Sequence, residues 1–268
     1  MRLLLITVSS SQAPAAGWQQ PYEIALLPVS FVFFASFALW EHRIVKHPIM
    51  PLDIWTAPSF FPLILVVTFS VMSYSISLWY MIAWQQSIRH WTVLHTAIGI
   101  IPHAIFGGLA APVAAWLIPR MAAEWILAFG ATTVLLSNIV LVTMPEQQLY
   151  WAQIFPATIL MAVCPDFIFT AAQIIATNSV RRHEQGIAGS LVSLLQLYGS
   201  SIGLGFAGTV ESQTNAKGTE TVQGYRGALY LAIGLAAAAL ALDIIFVRVP
   251  KDNREGWGED ADTRRDSK

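Results

Sequence analysis

The sequence predicts an all-α, multi-pass membrane protein. Three observations carry that expectation: a series of long apolar stretches, a low content of charged residues, and a lopsided distribution of Lys and Arg. Seven apolar stretches of roughly 20 to 30 residues follow one another between positions 21 and 249, separated by short polar loops. An α-helix rises about 1.5 Å per residue, so about 20 apolar residues cross a hydrocarbon core roughly 30 Å thick. One such stretch would suit a buried core helix, but seven cannot be packed inside a soluble domain of 268 residues. Charged residues make up 12% of the chain and hydrophobic ones 55%, whereas soluble domains carry about 25% charged residues. The mean hydropathy of +0.57 agrees.

Taken in order, the chain opens on Met1-Arg2 and a short apolar run ending near Ser9. About ten residues reach only half a bilayer, and no convincing small-residue cleavage site follows. Residues 1–20 therefore read as a partial helix and an external loop rather than as a signal peptide. The first full span, 21–40, is closed by Glu41-His42-Arg43, and a polar connection with Pro48 and Pro51 runs to position 56. Six further spans are expected at 58–84, 92–118, 125–144, 151–178, 187–210 and 225–249, so that 57–249 forms one six-helix unit. Residues 250–268 are rich in charge and poor in apolar side chains, which predicts a disordered tail.

Loop charges orient the spans. One side collects Arg43, Lys46, Arg120, Arg181, Arg182, Arg248, Lys251, Arg254, Arg264, Arg265 and Lys268, and the other has only Arg89, Lys217 and Arg226. Positive charge is retained on the cytoplasmic side, so the first set and the C-terminus are expected to be cytoplasmic.

Ionisable groups inside a bilayer are costly and mark sites by default. Asp166 lies midway along the span 151–178, beside Cys164 and Pro165. Proline removes a backbone donor and opens the helix locally, and a carboxylate at such a break is suited to hold a proton or a cationic substrate. The competing reading is that Asp166 merely satisfies the loosened backbone. His103, next to Pro102, is a second candidate because imidazole titrates in the physiological range; a hydrogen-bonded packing role is its alternative. Asp243, near the end of the last span and close to Arg248, reads as an interfacial ion pair. Tyr74, Trp79, Tyr80 and Trp84 crowd the second half of the span 58–84, and Gln173 and Gln196 lie on the spans 151–178 and 187–210. Together these aromatic and amide groups suggest an amphipathic pocket. Gly199, Gly203 and Gly208 on one span, and Gly107, Ala111 and Ala115 on another, have the spacing that lets helices approach closely.

No HExxH motif and no P-loop occur, so neither a zinc hydrolase nor a nucleotide-driven pump is indicated. A single cysteine excludes an intramolecular disulfide. No enzyme, metal, cofactor or nucleic-acid partner is expected; the partners are the lipid bilayer, a small molecule and protons.

From Cys164 onward the string CPDFIFTAAQIIATNSVRRHEQGIAGSLVSLLQLYGSSIGLGFAGTVE resembles a helix pair of the fungal drug:proton antiporters of the major facilitator superfamily. The likeness is to the fourteen-span, aminotriazole-resistance-like group. Glu184-Gln185-Gly186-Ile187-Ala188-Gly189-Ser190-Leu191 and Ser201-Ile202-Gly203-Leu204-Gly205 carry it, supported upstream by Pro48-Ile49-Met50-Pro51-Leu52 and by the segment from Gln86 to Arg89. The resemblance implies a proton-driven exporter working by alternating access, with Asp166 at the family's intramembrane acidic position. Thr170 departs from the pattern, which tends to place proline after the residue matching Phe169.

The resemblance also implies a C-terminal six-helix bundle of a major facilitator fold, preceded by one linker helix (21–56, with its loop) and a partial helix. The Gly-rich Asp-Arg loop and the antiporter glycine-proline motif of an N-terminal half are not in this sequence. On that ground the expectation is a half-transporter that does not transport alone, in a plasma or vacuolar membrane. The rival expectations are a non-transporting, receptor-like or scaffold remnant and an incomplete gene model.

Overall fold

The computed structural model describes residues 60–180, 185–215 and 220–247, together with Val32 and Ser36. In chain order the elements are α1 (Phe60–Ala83), continued by a π-helical stretch at Trp84–Ile88, then α2 (Val93–Leu117), α3 (Ala123–Val142), α4 (Ile154–Ser179), α5 (Gln185–Thr214) and α6 (Thr221–Phe246). All six helices are long and apolar enough to cross a membrane, and no strand occurs among the described residues. The expected all-α class is what the structure shows. The expected span at 21–40 is represented only by Val32 and Ser36, both helical. The partial helix at 1–20 and the tail at 250–268 lie outside the described residues.

Local sequence explains the helix limits. Thr92 caps α2 by accepting a hydrogen bond from the His95 N–H at 3.2 Å. Short connections after Leu117 and Val142 turn the chain back, so α1, α3 and α5 begin at the end of the bundle that carries Arg120. The opposite end holds the loop around Arg89. There Arg89 is buried and donates to the carbonyls of Glu146 (3.2 Å) and Pro145 (3.3 Å), tying the α1–α2 connection to the α3–α4 connection. Burial lowers the pKa of this guanidinium from its ordinary value. Arg120 folds back on its own helix end, donating to the Trp116 carbonyl and lying 4.0 Å above the Trp116 ring.

The interior is built around α1 and α4. Helix α1 packs on α3, α4, α5 and α6, while α4 packs on α1, α2, α3 and α5. Helix α2 leans mainly on α4 and buries only Thr96, Ala110 and Ala114. Two apolar clusters stack along the bundle axis. Phe60, Leu63, Ile126, Leu127, Phe167 and Ile175 belong to the one at the Arg120 end, and Ile76, Tyr80, Trp84, Leu141, Met161 and Leu229 to the one at the Arg89 end. Tyr74 packs against both. Side chains such as Trp79, Leu109, Trp116 and Phe129 face outward, where lipid rather than water solvates them.

Small residues set the helix separations. On α6, Gly224, Ala228, Ala232, Ala236 and Ala239 are buried at spacings of three or four, a stripe that brings α6 onto α1 and α3. Gly203 of α5 lies hard against α1: a Cβ there would sit 2.8 Å from Met72 Cα. Gly199 is next to Val71, at 3.3 Å by the same measure, and Gly208 is half-buried on α5. The small-residue stripe expected on α2 is corrected. Ala111 and Ala115 are exposed, and the buried pair is Ala110 and Ala114. A one-residue offset rotates the contact face by about 100°, and in the second half of α2, after His103, no polar side chain marks that angle.

One polar network lies in the dry interior. Asn138 of α3 donates to Ser73 Oγ (3.0 Å) and to the Val134 carbonyl (2.9 Å), and its Oδ1 is 2.6 Å from the Ser77 hydroxyl. Ser73 in turn donates across to the Ala232 carbonyl of α6 at 2.8 Å. All three side chains are fully buried. Replacing Asn138 with leucine leaves Ser73 and Ser77 to turn back on their own helices, so the expected loss is about 1 kcal/mol. Replacement by aspartate puts a charge in the same place and is expected to prevent folding. Thermal unfolding in detergent distinguishes the two.

Candidate functional site

The local opening expected at Pro165 is corrected: α4 runs as one unbroken helix from Ile154 to Ser179 with Pro165 inside it, and the residues around this proline occupy the centre of the bundle. Pro165 has no N–H to give to the preceding turn, and Cys164 and Asp166 flank it. Successive helical residues point about 100° apart, so these neighbours serve different surroundings. Cys164 and Pro165 line a cavity between α1, α4 and α5. Asp166 instead faces α2: a Cβ built on Gly107 would lie 3.8 Å from Asp166 Oδ2 and 3.7 Å from the Ala162 carbonyl. Gly107 is thus loosely packed rather than tight, and its missing side chain leaves room beside the carboxylate.

One turn before Gly107 on α2 stands His103. Its Nε2 is 3.0 Å from the Tyr74 hydroxyl of α1, and the two rings stack with centroids 6.1 Å apart. Which partner gives the proton depends on the histidine tautomer. The Nδ1 atom is buried without a hydrogen-bond partner, and the Thr158 backbone lies near the ring. Asp166 is close enough to His103, Tyr74 and Cys164 to interact electrostatically with each. The carboxylate makes no hydrogen bond or ion pair among the described residues and is only partly buried. A carboxylate, an imidazole and a phenol from three helices therefore converge at mid-depth.

The cavity has a volume of about 320 Å³, at the lower end of the range for ligand pockets. Val67, Val71, Ile168, Phe169 and Leu197 form its apolar walls, and Ser70, Tyr74, Gln196 and Ser200 supply its polar edges.

Of the sequence candidates, Asp166, His103 and Tyr74 are brought together, and Gln196 joins Tyr74 at the cavity. Gln173 is elsewhere: its amide donates to the Gly189 carbonyl at 3.0 Å and tethers α4 to α5. The expected aromatic pocket divides. Trp79 faces outward, whereas Tyr80 and Trp84 are buried against Tyr225, leaving only Tyr74 at the cavity. Asp243 is 1% exposed and neither carboxylate oxygen has a hydrogen-bond partner, with Glu124 nearby; Arg248 lies outside the described residues.

Two features escaped the sequence reading. Ser70 lines the cavity, and Glu211 accepts a 2.7 Å hydrogen bond from buried Tyr80. A glutamate one turn from a helix end reads as solvated, and a serine in an apolar span carries no signal of where it points. The string Gly199-Ser200-Ser201-Ile202-Gly203 has GxSxG spacing but lies in mid-helix, and Ser201 turns back to the Leu197 carbonyl. A nucleophile elbow needs a strand-to-helix turn. No cluster of three metal-binding side chains occurs among the described residues.

Six apolar helices that gather titratable groups and a cavity at their mid-depth define an integral membrane protein with a polar site inside the bilayer. Comparison with known proteins identifies the kind. The chain is 33% identical over 91% of its length to the efflux pump terJ of Aspergillus terreus, covering 47% of that protein. It is 34% identical over 89% of its length to the low affinity ammonium transporter of Saccharomyces cerevisiae, covering 46%. The match to the aminotriazole resistance protein of the same yeast is 30% over 91% of this chain and 45% of the relative. The chain is thus similar to fungal transporters, among them proteins named as MFS-type or major facilitator superfamily transporters, and it spans about half the length of the curated relatives it matches. No family model matches it.

Proposed function

We propose that this chain takes part in proton-coupled efflux of small molecules by alternating access, and that it carries out no covalent chemistry. Asp166 is the proton-binding carboxylate, Tyr74 and His103 hold the hydrogen-bonded pair beside it, and the Arg120 end with the C-terminus faces the cytoplasm. The observation that carries this reading is the convergence of Asp166, His103 and Tyr74 from α4, α2 and α1 next to a cavity. Titratable groups held inside a bilayer mark proton or substrate paths. The relatives named as efflux pumps support export as the direction, and those named as transporters support small molecules as the cargo. Alternating access needs one repeat to rock against another about the site, and we take this six-helix unit to be one such repeat.

The test is accumulation of a fluorescent amphiphile in an efflux-deficient fungal host. Joined to the N-terminal half of a related efflux pump, the chain is expected to lower accumulation, and a protonophore is expected to restore it; the chain alone is expected to leave accumulation unchanged. Lowered accumulation that persists after the gradient is collapsed would refute proton coupling. A joined protein that binds the amphiphile and never changes its distribution would instead favour a non-transporting membrane protein. A fluorescent tag after Lys268, quenched only when the cytoplasm is opened, checks the orientation.

A further inference from the structure

The cavity beside Pro165 and the Asp166 site are neighbours but not the same place, and Tyr74 belongs to both. Its ring forms part of the cavity wall, and its hydroxyl is 3.0 Å from His103. Among the described residues, no charged side chain lines the cavity. A charged molecule entering it would lose its hydration without gaining a counter-ion.

Two polar groups there lack partners. Serine and threonine in these helices usually turn back to the carbonyl four residues earlier, as Thr68, Ser77, Thr132, Thr177 and Ser200 do. Ser70 does not: it is fully buried and its hydroxyl has no hydrogen-bond partner, yet it lines the cavity. Gln196 faces the cavity from α5, and its side-chain amide makes no hydrogen bond among the described residues. The Ser200 hydroxyl is already engaged, giving to the Gln196 carbonyl and taking from Ser75. An unpartnered hydroxyl on α1 and an amide on α5, set among valine, isoleucine, phenylalanine and leucine, make a recognition pattern.

We propose that the cavity between α1, α4 and α5 binds uncharged, largely apolar molecules carrying an amide-like hydrogen-bonding group, and that Tyr74 couples its occupancy to the proton state of His103 and Asp166. The pocket stands on its own lining; the coupling rests on the proton site proposed above. A molecule packed on the Tyr74 ring holds the hydroxyl at His103, so binding and protonation influence each other reciprocally. The titratable groups around Tyr74 are His103 from α2 and Cys164 and Asp166 from α4. Helix α5 presents neutral Gln196 and Ser200 to the cavity, and Tyr198 is not among its lining. Glu124 of α3 and Asp243 of α6 sit at the Arg120 end.

Cys164 lines the cavity but is only 1% exposed, so occupancy is read by equilibrium binding of tritiated benzanilide rather than by thiol modification. In the full chain reconstituted in nanodiscs, tritiated benzanilide is expected to bind saturably and unlabelled benzanilide to displace it. Biphenyl-4-carboxylate and biphenylmethylammonium are expected not to displace it. Ser70→Ala and Gln196→Ala each weaken benzanilide binding by about three- to ten-fold. Equal displacement by either ion, or no saturable binding of benzanilide, overturns the pocket assignment.

Apparent benzanilide affinity is further expected to differ about five-fold or more between about pH 5.5 and about pH 8. In Tyr74→Phe that ratio collapses towards one, whatever the absolute affinity. A wild-type ratio of one, or an unchanged ratio in Tyr74→Phe, overturns the coupling. Efflux that proves independent of the proton gradient while benzanilide binding persists would sink the proton-coupling reading and leave the pocket standing.

Discussion

In the chain joined to the N-terminal half of a related efflux pump, Asp166→Asn abolishes proton-coupled efflux while leaving the protein folded. The amide has nearly the shape of the carboxylic acid but neither takes up nor releases a proton, so the course of α4 and the space beside Gly107 are kept. Stability is expected to be unchanged or slightly raised, because Asp166 forms no ion pair among the described residues that the substitution would break. Removing a carboxylate that lacks a partner also removes its desolvation penalty in the apolar bundle. Melting temperature and surface expression therefore serve as controls, and accumulation of the amphiphile is the readout. Efflux by Asp166→Asn at the wild-type rate, still sensitive to a protonophore, would reduce Asp166 to a structural residue.

Gly203→Val separates α5 from α1. A Cβ at this position would stand 2.8 Å from Met72 Cα, 2.9 Å from Met72 Cβ and 3.0 Å from the Met72 carbonyl. Two of these atoms are backbone, so no rotamer change relieves the contact and the helices must part. Overpacking of this kind costs about 1–3 kcal/mol, and valine, with two further methyls, belongs at the upper end. An apparent melting temperature lower by roughly 5–10 °C is the expected result. Gly203→Ala is expected to lose less, because it brings the three Cβ contacts with Met72 but not the two further methyls of valine. Gly108 and Gly234, where a Cβ would meet nothing within 4 Å, are the controls. Alanine at either should be neutral or stabilising by up to about 1 kcal/mol, since alanine is the better helix former. A tolerated valine at Gly203 would mean that α5 and α1 are not held at this separation.

Particular residues show where legibility stopped. Asp166 could be found without coordinates, because a carboxylate beside a proline inside a 20-residue apolar run is chemically conspicuous. The Tyr74–His103 pair could be suspected from its two members but not joined, since 29 residues and a loop separate them. Ser70 could not be found. Nothing in the sequence separates it from Ser73 or Ser77, one and two turns further along the same helix, which spend their hydrogen bonds on Asn138 and the α6 backbone. Gln173 and Gln196 looked alike in sequence, yet one ties two helices together and the other faces the cavity.

By itself the sequence determined that the chain is a series of membrane-spanning helices, roughly where each begins and ends, and which side of the bilayer its loop charges favour. Those properties follow from length, apolar content and charge summed along a segment, and they survive any rotation of the helix. Only the tertiary structure decided which face of each helix is inside. A helix in lipid is apolar all round, so burial leaves no periodic trace, and the facing angle is set by close fits such as Gly203 on Met72. Those angles placed Asp166 towards α2 and Cys164 towards the cavity, and so divided one run of three residues between two sites.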